Sequence, residues 1–566
     1  MSREVEGRLE ASGAGQERRP AVGRRRTLSQ VAWDALGSRK YKLPRATHRY
    51  TTIRDARIPM RDGVELLAHV LLPVGTPKGT VLLRSPYGWS DMLSGLTTSM
   101  YARHGYIVVL ARCRGTFGSG GRFQPFADER ADGMDTVEWL RRQRWFTGTF
   151  ATLGGSYGGF TQLAILSDPP PELVTSVIAT TCHDFRRGIY RDGAFSLDTM
   201  FDWTAAVLRQ ESGFVKSLIA ARKGAKSDAA SKRLLPMVQG AAEAFGARAP
   251  WYRRWLSERN LNDASWAGYD ATEALDRLEI PVLIQLGWQD IFLDQGIEEV
   301  IRLQERGVDV AVTAGPWTHR GMVLEGGEVT VGESLRWLDE HLAKLPVRRS
   351  APVRVFVNGA DEWLDLASWP PASREVSFFP ADSGLLDTHP TATEAVASFT
   401  YRPEDPTPAL GGPLIGEGGG YADDSAFGAR HDVLLFTSTP LTEPLRIIGS
   451  PRVELAHQTS NPHADLFVRV SIVDTKGVSR NVTEGFTRLD PAAASGSLEL
   501  TLDPTGQDFG VGERIRLIVA GGSFPRWERN LGTRENPATS AAHAPSLRTI
   551  ALKRSRLVLP VVPIAS

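Results

Sequence analysis

A glycine-rich turn around Ser156 is the feature that most restricts how this chain can fold. Residues 154–158 form a G-x-S-x-G pattern that follows a strand-like run and precedes a helix-like run. In that setting the serine occupies a strained strand-to-helix turn, and its hydroxyl projects from the end of a sheet. A side chain at Gly154 or Gly158 would collide where strand and helix pass each other. The pattern therefore predicts a serine nucleophile, with a chance Gly/Ser turn as the alternative in a chain that has 55 glycines.

The chain is too long for one hydrophobic core. Its 566 residues exceed the roughly 250–300 residues at which chains divide into domains, so two or more domains are expected. From Thr51, strand-like runs alternate with helix-like runs, which is typical of βαβ units and a parallel sheet. The predicted elements are a hairpin (53–59 and 64–72), strands at 80–84, 106–111 and 174–179, and a helix at 128–142.

Residues 184–275 interrupt this alternation with a helix-prone segment rich in aromatic residues. Ordinary helical packing is one interpretation, and a helical cap over the carboxyl edge of the sheet is the other. We favour the cap because strand-like runs resume at 280–287 and 308–315. The aromatic residues expected to line an acyl pocket are Tyr190, Phe195, Phe201, Trp203, Trp251, Tyr252 and Trp255.

After residue 349 the helical periodicity disappears, and short strands alternate with Pro/Gly turns. This pattern favours an antiparallel sandwich or jelly roll. The predicted fold class is α/β: a parallel-sheet domain with an inserted helical cap, followed by a β jelly-roll domain. The predicted boundaries are a disordered or loosely docked arm at 1–45, the parallel-sheet domain at 46–183 and 276–349, the cap at 184–275, and the jelly roll at 350–566.

Composition excludes several classes of partner. The formal net charge is +1, so no strong field would attract nucleic acid or an acidic membrane, and no apolar run is long enough for a membrane helix. The two cysteines cannot form a disulfide framework and favour a reducing compartment. Arg24 to Arg26 resemble a twin-arginine export signal, but Asp34 interrupts the apolar stretch that such a signal needs. We therefore expect a cytoplasmic protein.

Two candidate partners for Ser156 follow later strands in the order Ser, Asp, His. Asp290 directly follows the predicted strand 281–286 and its Gly-Trp-Gln extension, and His319 comes after the strand 308–314. A serine hydroxyl needs a base, and the base needs an orienting acid, each at a strand end. Taken alone, Asp290 would be a helix N-cap and His319 a packed histidine. Asp294 competes with Asp290 for the role of acid.

Catalysis would also need hydrogen-bond donors for a developing oxyanion. The backbone N–H of Tyr157, the residue after the serine, is the first candidate. The hydroxyl of Tyr87, in the loop after the strand at Val81, is the second. A role as an aromatic lid residue is the alternative for Tyr87.

These motifs resemble those of the cocaine esterase-like hydrolases, which include X-Pro dipeptidyl-peptidases and α-amino acid ester hydrolases. The matching segments cover the chain from about residue 51 to its end, and are residues 60–64, 84–88, 114–121, 154–159, 287–290, 315–319, 369–371, 401–406, 432–434 and 524–525. The resemblance implies an α/β-hydrolase domain, a cap and a jelly roll. It also implies Ser156, Asp290 and His319 as a catalytic triad, with Tyr87 and Tyr157 as oxyanion donors.

One departure from the family pattern concerns the substrate. The α-amino acid ester hydrolases have carboxylates two and three residues beyond the catalytic acid, where this chain has Phe292 and Leu293. A substrate ammonium would have no partner there, and burying it unpaired would cost several kcal/mol. Asp202 or Asp270 from the cap are the alternatives that sequence leaves open.

We therefore expect a serine hydrolase that cleaves carboxylic esters, with amides as a further option, through an acyl-enzyme. An X-Pro dipeptidyl-peptidase or an α-amino acid ester hydrolase is the enzymatic alternative, and a jelly-roll binding protein is the non-enzymatic one. The expected partner is a small-molecule ester or amide, without nucleic acid or membrane, and formation of a homo-oligomer stays open. No metal or organic cofactor is implied, because the HEXXH and CxxC patterns are absent.

Overall fold

The computed structural model describes residues 42, 45–88, 93–211 and 214–564. The predicted N-terminal arm, with Arg24 to Arg26, lies outside these residues except for positions 42 and 45. The first unit is a sheet of ten strands with the order β1-β2-β4-β3-β5-β6-β9-β10-β11-β12. The strands are β1 (Tyr50–Pro59), β2 (Glu65–Pro73), β3 (Gly79–Ser85), β4 (Tyr106–Arg112), β5 (Phe150–Gly155), β6 (Leu173–Ala179), β9 (Val282–Gln289), β10 (Val310–Thr318), β11 (Val353–Val357) and β12 (Glu362–Leu366).

The neighbours from β4 to β11 in this order pair in parallel, whereas β1, β2 and β12 add antiparallel edges. The predicted hairpin is confirmed, and Gly63 has the positive φ of 84° that its turn requires. Central strands are apolar because both faces are covered: every residue of β9 is buried. The helices that flank this sheet are Leu93–Arg103, Glu129–Arg141, Tyr157–Leu166, Leu293–Glu305, Gly321–Leu324 and Gly327–His341.

A mainly helical segment joins β6 to β9. Its helices are Phe185–Ile189, Leu197–Gln210, Phe214–Arg233, Met237–Phe245, Pro250–Ser257 and Glu273–Arg277. It also contains a small hairpin of β7 (Tyr190–Arg191) and β8 (Ala194–Phe195), which the periodicity did not predict. The segment shares one hydrophobic core with the ten-stranded sheet, in which Trp255 and Tyr252 are almost fully buried.

The remaining strands form two antiparallel sheets. The larger sheet contains β13 (Arg374–Pro380), β14 (Leu386–Asp387), β15 (Val396–Tyr401), β17 (Leu445–Gly449), β18 (Arg452–Thr459), β21 (Gly496–Thr501), β22 (Thr505–Phe509) and β24 (Ser546–Val562). The smaller sheet contains β16 (Val433–Thr437), β19 (Asp465–Val473), β20 (Ser479–Arg488) and β23 (Arg514–Ala520). Their inner faces share a second core, with Ile447 and Val453 from the larger sheet and Val468 and Leu517 from the smaller.

Two strands within the segment 350–566, which the sequence assigned as a whole to the C-terminal domain, pair with the first sheet. Val353 to Val357 pair in parallel with β10, and Glu362 to Leu366 then form the antiparallel edge. Their short length and Pro/Gly-rich flanks resemble those of the strands that follow. Only the pairing partner, which is a tertiary property, distinguishes the two groups.

Backbone hydrogen bonds connect the helical segment with the loop between β23 and β24 of the C-terminal part. The Asp198 N–H donates to the Pro525 carbonyl at 2.9 Å, and the Glu528 N–H donates to the Phe195 carbonyl at 2.9 Å. Farther along, the Met237 N–H donates to the Pro537 carbonyl at 3.0 Å. The helical segment is therefore held between the ten-stranded sheet and the C-terminal sheets. No described helix has the length and apolar character needed to cross a membrane.

Candidate active site

Ser156 sits at the turn between β5 and the helix Tyr157–Leu166. Its backbone has φ 56° and ψ −128°, a strained conformation for a residue with a side chain. The serine N–H is held by the carbonyls of Ala179 at 3.0 Å and Thr180 at 3.1 Å. A Cβ atom at Gly154 would lie 2.7 Å from the Gly158 carbonyl oxygen, so the predicted close approach of strand and helix is present.

A continuous chain of hydrogen bonds connects the three side chains predicted from sequence. Nε2 of His319 lies 2.9 Å from Oγ of Ser156, and Nδ1 of the same ring lies 2.8 Å from Oδ2 of Asp290. Asp290 directly follows β9 and His319 directly follows β10, and these two strands pair in parallel. Neighbouring parallel strands present their carboxyl ends at one edge of the sheet, which brings the two residues together.

The surroundings hold the carboxylate of Asp290 in place. Its side chain is fully buried, and Oδ1 accepts a hydrogen bond from the Phe292 N–H at 2.8 Å. Asp294, the competing acid, instead forms an ion pair with Arg191 at 3.3 Å. The geometry therefore associates His319 with Asp290 and not with Asp294.

Tyr87 and Tyr157 both lie beside Ser156, but their hydroxyls have different surroundings. The Tyr87 hydroxyl is 3.5 Å from Ser156 Oγ and accepts a hydrogen bond from Trp203 Nε1 at 2.9 Å. Burial raises the pKa of Tyr87 against the opposing effect of its hydrogen bonds with Ser156, Trp203 and the Tyr157 backbone. Tyr87 therefore keeps its proton. Its hydroxyl and the Tyr157 N–H lie close together beside Ser156.

The Tyr157 hydroxyl points away from Ser156 and into the core. It donates to Glu129 at 2.7 Å and accepts from the Phe126 N–H at 2.8 Å. Burial, followed by the charge of Glu129, raises its pKa well above the usual value. Only the backbone of Tyr157 is thus available at the serine.

A mostly apolar pocket opens beside Ser156, and side chains from all parts of the fold line it. They include Tyr87, Phe126, Phe185, Trp203, Phe292 and Ile415. No carboxylate is among the described residues that line it. The pocket is therefore suited to an uncharged, apolar group.

The prediction that seven aromatic residues line the acyl pocket is correct for only two of them. Trp203 and Trp255 line it, whereas Tyr190, Phe195, Phe201, Tyr252 and Trp251 pack elsewhere in the helical segment. Helical spacing shows that aromatic residues are buried but does not show which side of a helix faces the serine. Sequence reasoning also missed Ile415, which a loop of the C-terminal part brings to the pocket.

Gln289 is a further residue that sequence reasoning missed. It is the last residue of β9 and is 3% exposed, and its side chain donates to the Val482 carbonyl at 3.0 Å. Its Oε1 lies 3.2 Å from Asn481 Nδ2, which donates to it. The residue directly before Asp290 is thus anchored to β20 in the smaller C-terminal sheet.

The described residues contain no group of three or more His, Cys, Asp or Glu side chains arranged to hold a metal ion. Cys113 and Cys182 are buried and are not disulfide-bonded. Burial raises the pKa of both thiols well above the usual value, so neither is activated as a nucleophile.

Comparison with known proteins identifies both parts of the chain. Residues 62–321 match the model of the X-Pro dipeptidyl-peptidase (S15 family), and residues 346–553 match that of the X-Pro dipeptidyl-peptidase C-terminal non-catalytic domain. A cocaine esterase from a Rhodococcus species is 28% identical over 86% of this chain and 93% of its own length. A putative serine esterase from Mycobacterium bovis is 24% identical over 95% of this chain and 99% of its own length.

Solved structures agree at the level of the fold. An aminopeptidase from a marine sediment Thaumarchaeota archaeon superposes with a TM-score of 0.77 at 21% identity, over 97% of this chain and 100% of that chain. An α-amino acid ester hydrolase superposes with a TM-score of 0.76 at 21% identity and the same coverage. The two family models match in this order, and the chain is similar along most of its length to the cocaine esterase-like hydrolases and the X-Pro dipeptidyl-peptidases.

Proposed function

We propose that this protein is a serine esterase that hydrolyses uncharged carboxylic esters through an acyl-enzyme. The observation that carries the proposal is the hydrogen-bonded chain from Ser156 through His319 to Asp290 beside an apolar pocket. The family includes esterases among its relatives, which agrees with this chemistry.

In the proposed mechanism, Ser156 Oγ attacks the acyl carbonyl while His319 Nε2 takes the hydroxyl proton. Asp290 accepts the Nδ1–H of His319 and stabilises the imidazolium. The Tyr87 hydroxyl and the Tyr157 N–H donate to the oxyanion. His319 then protonates the departing alkoxide. In the second half-reaction it takes a proton from the water that attacks the acyl-enzyme and gives it to Ser156 Oγ as the bond between Oγ and the acyl group breaks.

Trp203 orients the Tyr87 hydroxyl in this scheme. Because the indole N–H of Trp203 donates to the Tyr87 oxygen, the hydroxyl proton of Tyr87 can point toward the oxyanion. We further propose that the helical segment 184–275 acts as a cap over the pocket and that the C-terminal sheets form a jelly roll. The cap would supply the apolar walls contributed by Phe185, Trp203 and Trp255.

An X-Pro dipeptidyl-peptidase is the second candidate, favoured by the match to that family's model. Such an enzyme needs an anion for the free N-terminus of its substrate. The two carboxylates that sequence left open are already paired, Asp202 with Lys232 and Asp270 with Arg186. These ion pairs, and the apolar pocket lining, favour the ester substrate over the dipeptide.

The proposal is tested by labelling with a fluorophosphonate probe and by hydrolysis of a short-chain nitrophenyl ester. The wild-type protein should be labelled and active, and Ser156→Ala should lose labelling and about 10⁴–10⁶-fold in kcat while keeping its fold. Substantial turnover by a clean Ser156→Ala preparation would place the nucleophile elsewhere.

Two further substrate comparisons decide the acyl class. Faster cleavage of Gly-Pro-anilide than of the nitrophenyl ester would favour the dipeptidyl-peptidase. Phenylacetate methyl ester should be cleaved with a higher kcat/KM than the α-amino analogue, phenylglycine methyl ester. The opposite preference would indicate an amino acid ester hydrolase.

A further inference from the structure

Tyr87 lies on a short segment, Pro86 to Gly88, that is outside the described strands and helices and is here called the Tyr87 loop. The loop follows the end of β3 at Ser85, whose Oγ accepts a hydrogen bond from the Tyr87 N–H at 3.1 Å. Displacing a catalytic group by about 1 Å can cost about 10²-fold in rate. The contacts that fix this loop therefore bear directly on the Tyr87 hydroxyl.

The helix Leu197–Gln210 of the helical segment contacts the Tyr87 loop through two side chains. Nε2 of Gln210, its last residue, donates to the Pro86 carbonyl at 3.0 Å. Trp203, which donates to the Tyr87 hydroxyl at 2.9 Å, lies seven residues earlier and so on the same side of the helix. One helix thus holds both the backbone that precedes Tyr87 and the Tyr87 hydroxyl.

Phe117 contacts the other end of the loop. A Cβ atom at Gly88 would overlap the Phe117 ring, so the ring lies directly against the Gly88 backbone. Phe117 has a φ of 46°, which is unfavourable for a residue with a side chain. Two hydrogen bonds hold this conformation: Arg112 Nη1 donates to the Phe117 carbonyl at 2.7 Å, and the Phe117 N–H donates to Glu211 at 3.0 Å. A strained residue fixed in this way beside the Tyr87 loop indicates a role at the site.

We propose that Gln210 and Phe117 are positioning residues that fix the Tyr87 loop. They hold the Tyr87 hydroxyl beside Ser156, where it donates to the oxyanion without having to reorganise. The inference rests on the esterase function proposed above and adds a dependence on the helical segment. Because Gln210 and Glu211 come from that segment, the oxyanion site is complete only when the segment is docked on the ten-stranded sheet.

The test measures ester hydrolysis by Gln210→Met in the wild-type and in the Tyr87→Phe background. Methionine keeps the length of the side chain but cannot donate to the Pro86 carbonyl. In the wild-type background kcat should fall about tenfold, with KM within about twofold, because the oxyanion contact forms only in the transition state. In the Tyr87→Phe background the same substitution should leave kcat within about twofold, since no hydroxyl is left to position.

Phe117→Gly tests the second contact in the same two backgrounds. Glycine adopts a φ of 46° without strain, so the substitution removes the ring and keeps the backbone conformation. It should also lower kcat about tenfold, and only where Tyr87 is present.

Gln143→Met is the matched control, because Gln143 is also partly buried and donates to a main-chain carbonyl, that of Trp139, at 3.0 Å. Gln143 lies just beyond the helix Glu129–Arg141 and does not contact the Tyr87 loop. Its substitution should leave kcat unchanged in both backgrounds.

The outcomes separate this inference from the proposed function. Equal losses of kcat in both backgrounds would contradict the inference, because the residue would then act by a route other than Tyr87. An unchanged kcat for Gln210→Met, or a loss larger than that of Tyr87→Phe itself, would contradict it as well. A near-normal kcat for Tyr87→Phe would overturn the inference and leave the esterase function intact. Absence of ester hydrolysis by the wild-type protein would contradict both, and Gln210→Met decides the question even where Phe117→Gly fails to fold.

Discussion

At the scale of single residues, the site depends on which carboxylate faces His319. Asp290 is fully buried and accepts from both His319 and the Phe292 N–H, whereas Asp294 is 29% exposed and pairs with Arg191. The two residues are four positions apart, and sequence alone left them as competitors. Because their partners differ, substitutions of the two residues should have different effects on kcat.

Asp290→Asn should lower kcat by about 10⁴-fold, because an amide cannot hold the imidazole in the tautomer that accepts the serine proton. Asp294→Asn, the matched control, should leave kcat within about tenfold of the wild type. Steady-state ester hydrolysis by both variants checks this. A dead Asp294 variant with an active Asp290 variant would reverse the assignment of the acid.

Tyr87→Phe should lower kcat by about 10²–10³-fold with KM little changed, since it removes one oxyanion donor without changing the shape of the pocket. Trp203→Phe, which removes the indole donor to the Tyr87 hydroxyl and keeps an aromatic ring in the pocket wall, should have a smaller effect. A near-normal kcat for Tyr87→Phe would mean that Tyr87 serves only as a wall of the pocket.

At the scale of elements, strand β9 carries two buried glutamines. They allow an effect on the position of Asp290 to be separated from an effect on the stability of the fold. Gln285 donates to the Thr330 carbonyl at 2.8 Å within the first unit, whereas Gln289 donates to Val482 of the C-terminal sheet at 3.0 Å. Each glutamine satisfies a buried carbonyl, but only Gln289 adjoins Asp290.

Gln289→Met and Gln285→Met should therefore destabilise the protein to a similar extent, about 1–3 kcal/mol, because each leaves buried groups unpaired. Only Gln289→Met should also lower kcat, by about tenfold, because a displaced Asp290 no longer aligns His319. Urea unfolding and ester kinetics on both variants make the comparison. Equal effects on kcat would show that the contact of Gln289 has no positioning role.

The helix Leu293–Glu305 is held to the start of the helical segment by His183, which is almost fully buried. Nδ1 of His183 lies 3.1 Å from Glu299, and Nε2 lies 3.6 Å from Glu298. Burial lowers the pKa of His183, but hydrogen bonds and charge from Glu298 and Glu299 outweigh it and raise the pKa to about 9. The pKa of Glu298 falls to about 2, mainly through its hydrogen bond with His183 and against the opposing effect of burial.

Because the pKa of His183 is higher in the folded than in the unfolded state, protonation stabilises the fold fully below about pH 6.5. This stabilisation is lost as the pH rises through about 9. His183→Gln should accordingly lower the free energy of unfolding more at pH 6 than at pH 9.5, as measured by urea unfolding. A difference that does not depend on pH would mean that His183 is neutral in the folded protein.

At the scale of the whole molecule, the C-terminal sheets complete the site although they supply no member of the Ser156 hydrogen-bond chain. They anchor Gln289, and the loops that connect their strands bring Ile415 to the pocket and exchange backbone hydrogen bonds with the helical segment. Removal of these sheets would therefore expose a polar surface on the hydrolase unit, and some of its polar groups would lack hydrogen-bond partners.

A chain ending at residue 372 keeps β11, β12 and the contact of Trp369 with Trp288 at 5.8 Å between ring centroids. We expect this truncated protein to lack ester hydrolysis and to aggregate, because the partners of Gln289 and of the Asp198 and Met237 N–H groups are gone. Solubility and kcat of the truncated and full chains test this. A soluble truncated protein with kcat within tenfold of the full chain would show that the hydrolase unit is complete without the C-terminal sheets.

The sequence by itself determined the local features: the strained turn at Ser156, the strands before Asp290 and His319, and the order of these residues along the chain. These follow from short patterns and from the rule that parallel strands end at one edge of a sheet. The tertiary structure alone decided that β11 and β12 join the first sheet. It also decided that Trp203 and Trp255 face the serine. Finally, it brought Ile415, Gln289 and Arg191 into contact with residues from distant parts of the chain. Such contacts join residues separated by up to about 300 positions, and only the packing of whole elements against one another brings them together.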